Sequence, residues 1–466
     1  MLFPTLIFGL FFIGLYILVW AQTDNEWRKI ILLAGSWVFY GAWDWRFVAL
    51  LIASAVGNWA AGWRVSASHS RGARRMWLTL GVVANLTVLG VFKYYGFFAH
   101  ELSNTLALLG WPRDLPLIQV LLPVGVSFFT FQGISYIVDV AGGKCAPARL
   151  LDVTLLMSFF AHLVAGPIVR ATDLLPQFAI TPRLDRDTAS RGLTLIAWGL
   201  FKKIVIASQL STELVDPVFR ESSRYGGADV LAAIYGYAVQ IFCDFSAYSD
   251  MAIGLAALLG YNFAKNFDQP YRAVSLQDFW RRWHISLSFW LRDYLYIPLG
   301  GSRLGLGRAC VNLLITMLLG GLWHGADVKF IIWGGLHGGV LCLERIAAAI
   351  LPKSLRAPHA LRVVATFHVV CLGWVFFRAQ DFGTALQVIQ QLAHWNGPLT
   401  ALTPFTALLI AIGLAINWVP ANFLERLAKA AAYLPAPAYG AALGLAILII
   451  DAQRPAGVAP FIYFQF

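Results

Sequence analysis

Apolar runs of about twenty residues, the length that crosses a bilayer core, recur from one end of this chain to the other and leave room for little except a bundle of membrane helices. They fall at roughly 1–20, 30–42, 46–63, 76–97, 115–140, 191–213, 227–258, 309–323, 327–348, 362–378, 403–420 and 433–452. This count predicts an all-α polytopic membrane protein with about 12 transmembrane helices, built as one integral-membrane domain over 1–466. Of the 466 residues, 59% are hydrophobic and 13% charged, whereas soluble domains carry about a quarter charged. A soluble globular protein is therefore excluded. The net charge of +11 suits orientation in the bilayer and contact with lipid headgroups, so no nucleic-acid partner is implied.

The first twenty residues hold no lysine or arginine, so they lack the basic start of a cleavable signal peptide and read as a retained helix. Arg64, Arg71, Arg74 and Arg75 mark a loop as cytoplasmic. Alternation then puts 262–308, with a net charge of +4, and the Lys353/Arg356 loop on the same side, and both termini outside. Two stretches, 151–185 and 266–303, interleave apolar and charged residues and predict re-entrant or interfacial segments, which persist at membrane depth only when buried in protein or lining a cavity. Five dispersed cysteines form no CxxC pair, and no metal-ligand spacing stands out, so neither a disulfide framework nor a metal site is expected.

Ionisable groups inside membrane segments are costly enough to be functional candidates. His69, His100, His359 and His394 fall in loops, leaving His162, His284, His324, His337 and His368. In LLGGLWHGADVKF, Gly320, Gly321 and Gly325 flank Trp323 and His324. Missing β-carbons allow close approach there, and a neutral imidazole is suited to take a proton from a hydroxyl. A packed histidine is the equal alternative. His337, in WGGLHGG, reads as packing.

His284 lies in SLQDFWRRWHISLSFWLRDYLYIPLGGSR. Ser275 and Asp278 resemble a capping box. One continuous helix would put Trp280, Trp283, Leu287, Trp290 and Tyr294 on one face and Arg281, His284, Ser288 and Arg292 on another, making a membrane-surface helix whose arginines suit phosphate. Tyr237, Gln240, Asp244 and Tyr248 form a polar stripe at helical spacing, and Gln132, Tyr136 and Asp139 form a second. Either a polar passage or interhelical hydrogen bonding would use them.

Five segments now taken together, LPVGVSFFTFQGISYIVDV, HLVAGPIVR, the stretch from DFSAYSDMAIG through PLGGSR, GGLWHGADVKFIIWGGLHG and LGWVFFRAQDF, resemble the membrane-bound O-acyltransferase (MBOAT) family, in its AlgI-like branch of alginate and polysaccharide O-acetyltransferases. The family core would cover about 121–382, with N-terminal helices in 1–100 and C-terminal helices in 400–466. The resemblance implies an MBOAT fold with re-entrant or interfacial helices around a central tunnel. It makes His324 the general base and His284 the second polar active-site residue. It places Asp244, Tyr248 and Asp250 in the tunnel wall and Arg281 and Arg282 at its cytoplasmic mouth, and Trp323 and Gln132 join them as substrate-binding candidates. Ala161-His162 replaces the proline and glutamine frequent in this branch, which makes His162 an extra candidate.

The implied chemistry takes acetyl from cytoplasmic acetyl-CoA, a donor substrate with no bound cofactor, and moves it across the bacterial inner membrane. A periplasmic SGNH-type partner would then complete O-acetylation of an exopolysaccharide. Cellulose, peptidoglycan or D-alanylated teichoic acid are the alternative polymers. A non-catalytic transporter or flippase is the reading from a different class.

Overall fold

The computed structural model describes residues 1, 3–111, 121–164, 166–352 and 357–455. Among them the chain is all helix and turn, with no strand. Two compact units form, one from Met1–Leu184 with Ala256–Phe263 and the other from Asp185–Leu255 with Ala264–Phe466.

Helix starts follow the chemistry of their capping residues. Asp24 accepts from the N–H groups of Glu26 and Trp27 at 2.6 and 3.2 Å to begin Asn25–Asp44. Asp185 caps Arg186–Phe201 and Asp327 caps Val328–Ile350 in the same way. Each cap satisfies a donor that the helix itself leaves unpaired.

The expected twelve spans are not formed. Among the described residues, seven helices are long and apolar enough to cross a membrane, or eight if Pro404–Trp418 and Phe423–Ala432, bent by 87°, count as one. Leu6–Trp20, Val126–Ala141 and Ala436–Ala452 have 15, 16 and 17 residues, at most about 26 Å at 1.5 Å per residue. Asn25–Asp44 is long enough but falls outside the set by composition. Val126–Ala141 shows why an apolar run misleads: nearly all of its residues are buried in protein, so its hydrophobicity serves the core. The reverse holds for Arg71–Leu108, only 17% of whose apolar window is buried, leaving the rest for lipid. With seven or eight spans, alternation no longer fixes the side on which the basic stretches lie. Lys353 and Arg356 lie outside the described residues.

In the second unit, Gly227–Leu258 is the central element, with 89% of its apolar window buried. Gly305–His324 and Val328–Ile350 pack as a hairpin in backbone contact. A β-carbon on Gly321 would stand 2.1 Å from the Phe330 carbonyl oxygen, and one on Gly334 2.3 Å from that of Met317. Glycine is therefore required at both positions, and the hairpin delivers His324 at the end of its first arm.

Candidate active site

His69, His100, His359 and His394 are exposed, although His100 lies within the helix Tyr95–Leu108 and His359 opens His359–Arg378, so only His69 and His394 are in loops as expected. Of the remaining five, His368 is also exposed, its Nε2 2.8 Å from the Tyr235 hydroxyl. His162, His284, His324 and His337 are buried.

His324 is the last residue of Gly305–His324. Its ring meets Trp323, Trp333 and Phe377 at centroid distances of 5.0, 5.0 and 5.2 Å, all near edge-to-face. His284 packs edge-to-face on Phe245 at 4.6 Å and lies 6.1 Å from the Trp323 ring. Both histidines thus flank the Trp323 indole, although forty residues separate them in the sequence.

The continuous helix expected over this region is broken at His284. Leu276–Arg282 begins at Ser275, whose hydroxyl accepts from the Asp278 N–H at 3.0 Å, as the capping pattern implied. Trp283 is then extended, His284 is left-handed at φ 42°, and Ile285–Leu291 starts a new helix. The aromatic face projected from Trp280 to Tyr294 therefore does not exist, because two non-helical residues reset the rotation between its halves. Trp283 instead packs inward on Trp374 at 5.0 Å and on Phe279 at 5.5 Å.

A cavity of about 840 Å³ opens beside this break, lined by Trp280, Arg281, Arg292, Glu344, Arg345 and Arg362 among others. Neither His284 nor His324 lines it. Trp280 does, and it packs at 5.7 Å on Trp333, the ring that meets His324. Arg292 is held by Asp293 at 2.6 Å, and the guanidinium groups of Arg281, Arg345 and Arg362 beside apolar lining favour an anionic ligand with an apolar portion. Arg282, expected with Arg281, points to other work: it pairs with Asp278 at 2.9 Å and Asp268 at 4.0 Å. Glu344 accepts from the N–H groups of Leu276 and Gln277 at 2.6 and 3.1 Å, holding the start of the arginine-bearing helix against Val328–Ile350.

Asp244 and Asp250 are both engaged as counter-ions. Lys203 pairs with Asp244 at 2.7 Å, and Lys202 with Asp250 at 2.7 Å while donating to Ser246 at 2.6 Å. Tyr248 is buried in the same region, 5.7 Å from the Lys203 ammonium measured to its ring. The two lysines open a π-helical turn, Lys202–Ser208, a geometry common at functional positions. Sequence reasoning passed over them, though two adjacent lysines in an apolar run were a usable signal. It also missed Glu344, Arg345 and Arg362, which a linear reading has no means to join to Arg281.

Gln132 belongs to the first unit. Its Nε2 donates to the Val169 carbonyl at 3.2 Å and stands 3.1 Å from His162 Nδ1. In the second stripe Asp139 pairs with Lys144 at 3.7 Å and the Tyr136 hydroxyl accepts from the Ala148 N–H at 3.2 Å, so these residues serve hydrogen bonding within that unit. His337 is enclosed by Trp333 at 4.5 Å and Trp280 at 5.5 Å, consistent with packing.

Among the described residues the chain is thus an all-helical, multi-pass membrane protein with two buried histidines on one tryptophan and a separate arginine-lined cavity. The chain belongs to the membrane-bound O-acyltransferase family, whose sequence profile matches residues 148–380, and it is accordingly an inner-membrane acyltransferase. It is 38% identical to the "probable alginate O-acetylase AlgI" of Azotobacter vinelandii over the whole of both chains. Identity to the protein of that name from Pseudomonas aeruginosa is 41%, covering 84% of this chain and 75% of that one. The "peptidoglycan O-acetyltransferase" of Helicobacter pylori is 35% identical over 83% of this chain and 77% of its own. Family membership sets aside the reading as a transporter without chemistry.

Proposed function

We propose that the whole chain, residues 1–466, works as one membrane O-acetyltransferase that supplies acetyl groups to an exported polysaccharide of the alginate kind. The observation that carries this reading is the convergence of His324 and His284 on Trp323. The similarity to two alginate O-acetylases over most of the chain supports the polymer class. Acetyl-CoA is the donor, and the four-arginine cavity is where its phosphates are held, with Arg281 among the contacts. His324 acts as general base on an acceptor hydroxyl, whose oxygen attacks the thioester carbonyl, and CoA leaves as the thiol. His284 is the second polar group of the site. Asp244, Tyr248 and Asp250 contribute to the wall of the substrate path, Trp323 separates the two imidazoles, and Arg282 holds the cavity-side helix through its ion pairs. Within the first unit, Gln132 is a separate substrate-binding candidate. A periplasmic SGNH-type protein receives the acetyl group and finishes transfer to the polymer. The peptidoglycan acetyltransferase relative keeps peptidoglycan as the second candidate acceptor.

The test is to measure alkali-labile acetyl esters on the surface polysaccharide and on peptidoglycan of cells lacking the gene, complemented with wild type or with His324→Ala at matched membrane abundance. Wild type restoring esters on the polysaccharide while His324→Ala does not is the expected result. Equal restoration by both would remove His324 as the base, and esters returning only to peptidoglycan would change the acceptor.

A further inference from the structure

The strongest unassigned feature of the site is Asn266, which is 1% exposed and lies in the non-helical stretch after the long helix Gly227–Leu258. Its backbone carbonyl accepts from the Ile285 N–H at 2.9 Å. Its side-chain oxygen Oδ1 accepts from the Ser286 N–H at 3.1 Å and the Ser286 hydroxyl at 2.8 Å, and it stands 3.3 Å from His284 Nδ1. Its Nδ2 donates to the Ser249 hydroxyl at 3.1 Å. One residue thus gathers the three residues at the helix break. The left-handed backbone of His284, unfavourable in a residue with a β-carbon, is held in place by these bonds.

The orientation of the carboxamide follows from chemistry. A backbone N–H can only donate, so the atom facing Ser286 N is oxygen. The same oxygen stands 3.3 Å from His284 Nδ1, and the Ser286 hydroxyl, 3.5 Å from Nδ1, gives its own proton to that oxygen at 2.8 Å, so both neighbours of Nδ1 act as acceptors and Nδ1 carries the proton. A neutral imidazole has one N–H, so Nε2 is left with its lone pair. Burial of the ring, which lies outside the membrane-spanning helices, pushes its pKa down to about 3 and keeps it neutral. Nε2 is itself buried and has no hydrogen-bond partner among the described residues, an unfavourable state that a hydrogen-bonding ligand would relieve.

We propose that Asn266 is the positioning residue of this acyltransferase, fixing His284 in the Nδ1–H tautomer so that Nε2 accepts a hydrogen bond from the reacting hydroxyl. This rests on the reading above that His284 belongs to the reaction. It excludes one role: a neutral ring whose only proton is given to Asn266 cannot donate to the oxyanion, so oxyanion donors must come from elsewhere. The hydroxyl is oriented by His284 and deprotonated by His324.

The test is nitrogen NMR on the full-length protein in membranes, with ¹⁵N-labelled histidine and His284→Gln as the assignment control. The expected spectrum shows the proton on Nδ1 and a bare Nε2. In cells, Asn266→Leu should lower acetyl-ester formation at least tenfold at matched abundance, and Asn266→Asp, which keeps the accepting oxygen, should recover a measurable part of it. A ring protonated on Nε2 overturns the inference whether or not the Asn266 variants fold. Full ester formation by Asn266→Leu also overturns it. Full ester formation by His284→Ala would remove His284 from the reaction and this role with it, whereas an Nε2-protonated ring beside an inactive His284→Ala would overturn the inference alone.

Discussion

His162 in the first unit and His284 in the second are both buried, and each ring is met at Nδ1 by a carboxamide, but opposite ends of that group face them. Gln132 turns its nitrogen toward His162, because the Val169 carbonyl takes the other N–H. Asn266 turns its oxygen toward His284, because the Ser286 N–H must have an acceptor. The first arrangement makes Nδ1 an acceptor and the second makes it a donor. The neighbours differ as well: Phe159 and Phe263 at 5.8 and 5.4 Å pack on His162, while His284 shares Trp323 with a second histidine. Burial is common to both regions, so burial does not tell them apart; the shared indole and the direction of the amide do.

The sharpest way to break this comparison is to remove each ring. We expect His324→Ala and His284→Ala to lower acetyl-ester formation by about 10²-fold or more, and His162→Ala by less than about threefold, read as ester per unit of membrane-inserted protein. An equal loss with His162→Ala would join the two regions functionally. Next in size is Lys203→Met, which leaves Asp244 with its lysine removed at 4% exposure. The loss should be about 3–5 kcal/mol, measured as a fall in thermal stability in detergent. Lys203→Met with Asp244→Leu should recover much of it if the pair is structural, and should recover stability without activity if the charges serve the reaction. Gly334→Ala forces a β-carbon to 2.3 Å from the Met317 oxygen, and roughly 1–3 kcal/mol should be lost. Gly339→Ala, whose β-carbon would meet nothing within 4 Å, should stay within about 0.5 kcal/mol. The smallest expected effect is Arg281→Ala, a several-fold rise in the KM for acetyl-CoA with kcat nearly unchanged, because three other arginines remain at the cavity.

Much of the site was legible in the chain, for reasons that particular residues make plain. Trp323-His324 stood out because glycines on both sides announced a close approach, and the hairpin contacts at Gly321 and Gly334 are that approach. Ser275 and Asp278 announced the helix start at Leu276, since a cap acts within four residues. The break at His284 was not legible. Its left-handed backbone is stabilised by Asn266, eighteen positions earlier, and a projection at 3.6 residues per turn runs straight through it. The pairing of Asp244 with Lys203 and of Asp250 with Lys202 was not legible either, because each lysine lies over forty positions away.

The sequence by itself determined that this chain is an all-helical, multi-pass membrane protein, since apolar length and charge scarcity act on each segment alone, and it singled out His324 and His284. Tertiary structure decided how many runs cross the membrane, because an apolar helix such as Val126–Ala141 is satisfied equally by lipid or by protein and only its neighbours choose. It also decided which arginines share a cavity and which nitrogen of His284 holds the proton. Those outcomes depend on hydrogen bonds and ion pairs between residues distant in the chain, which no local pattern records.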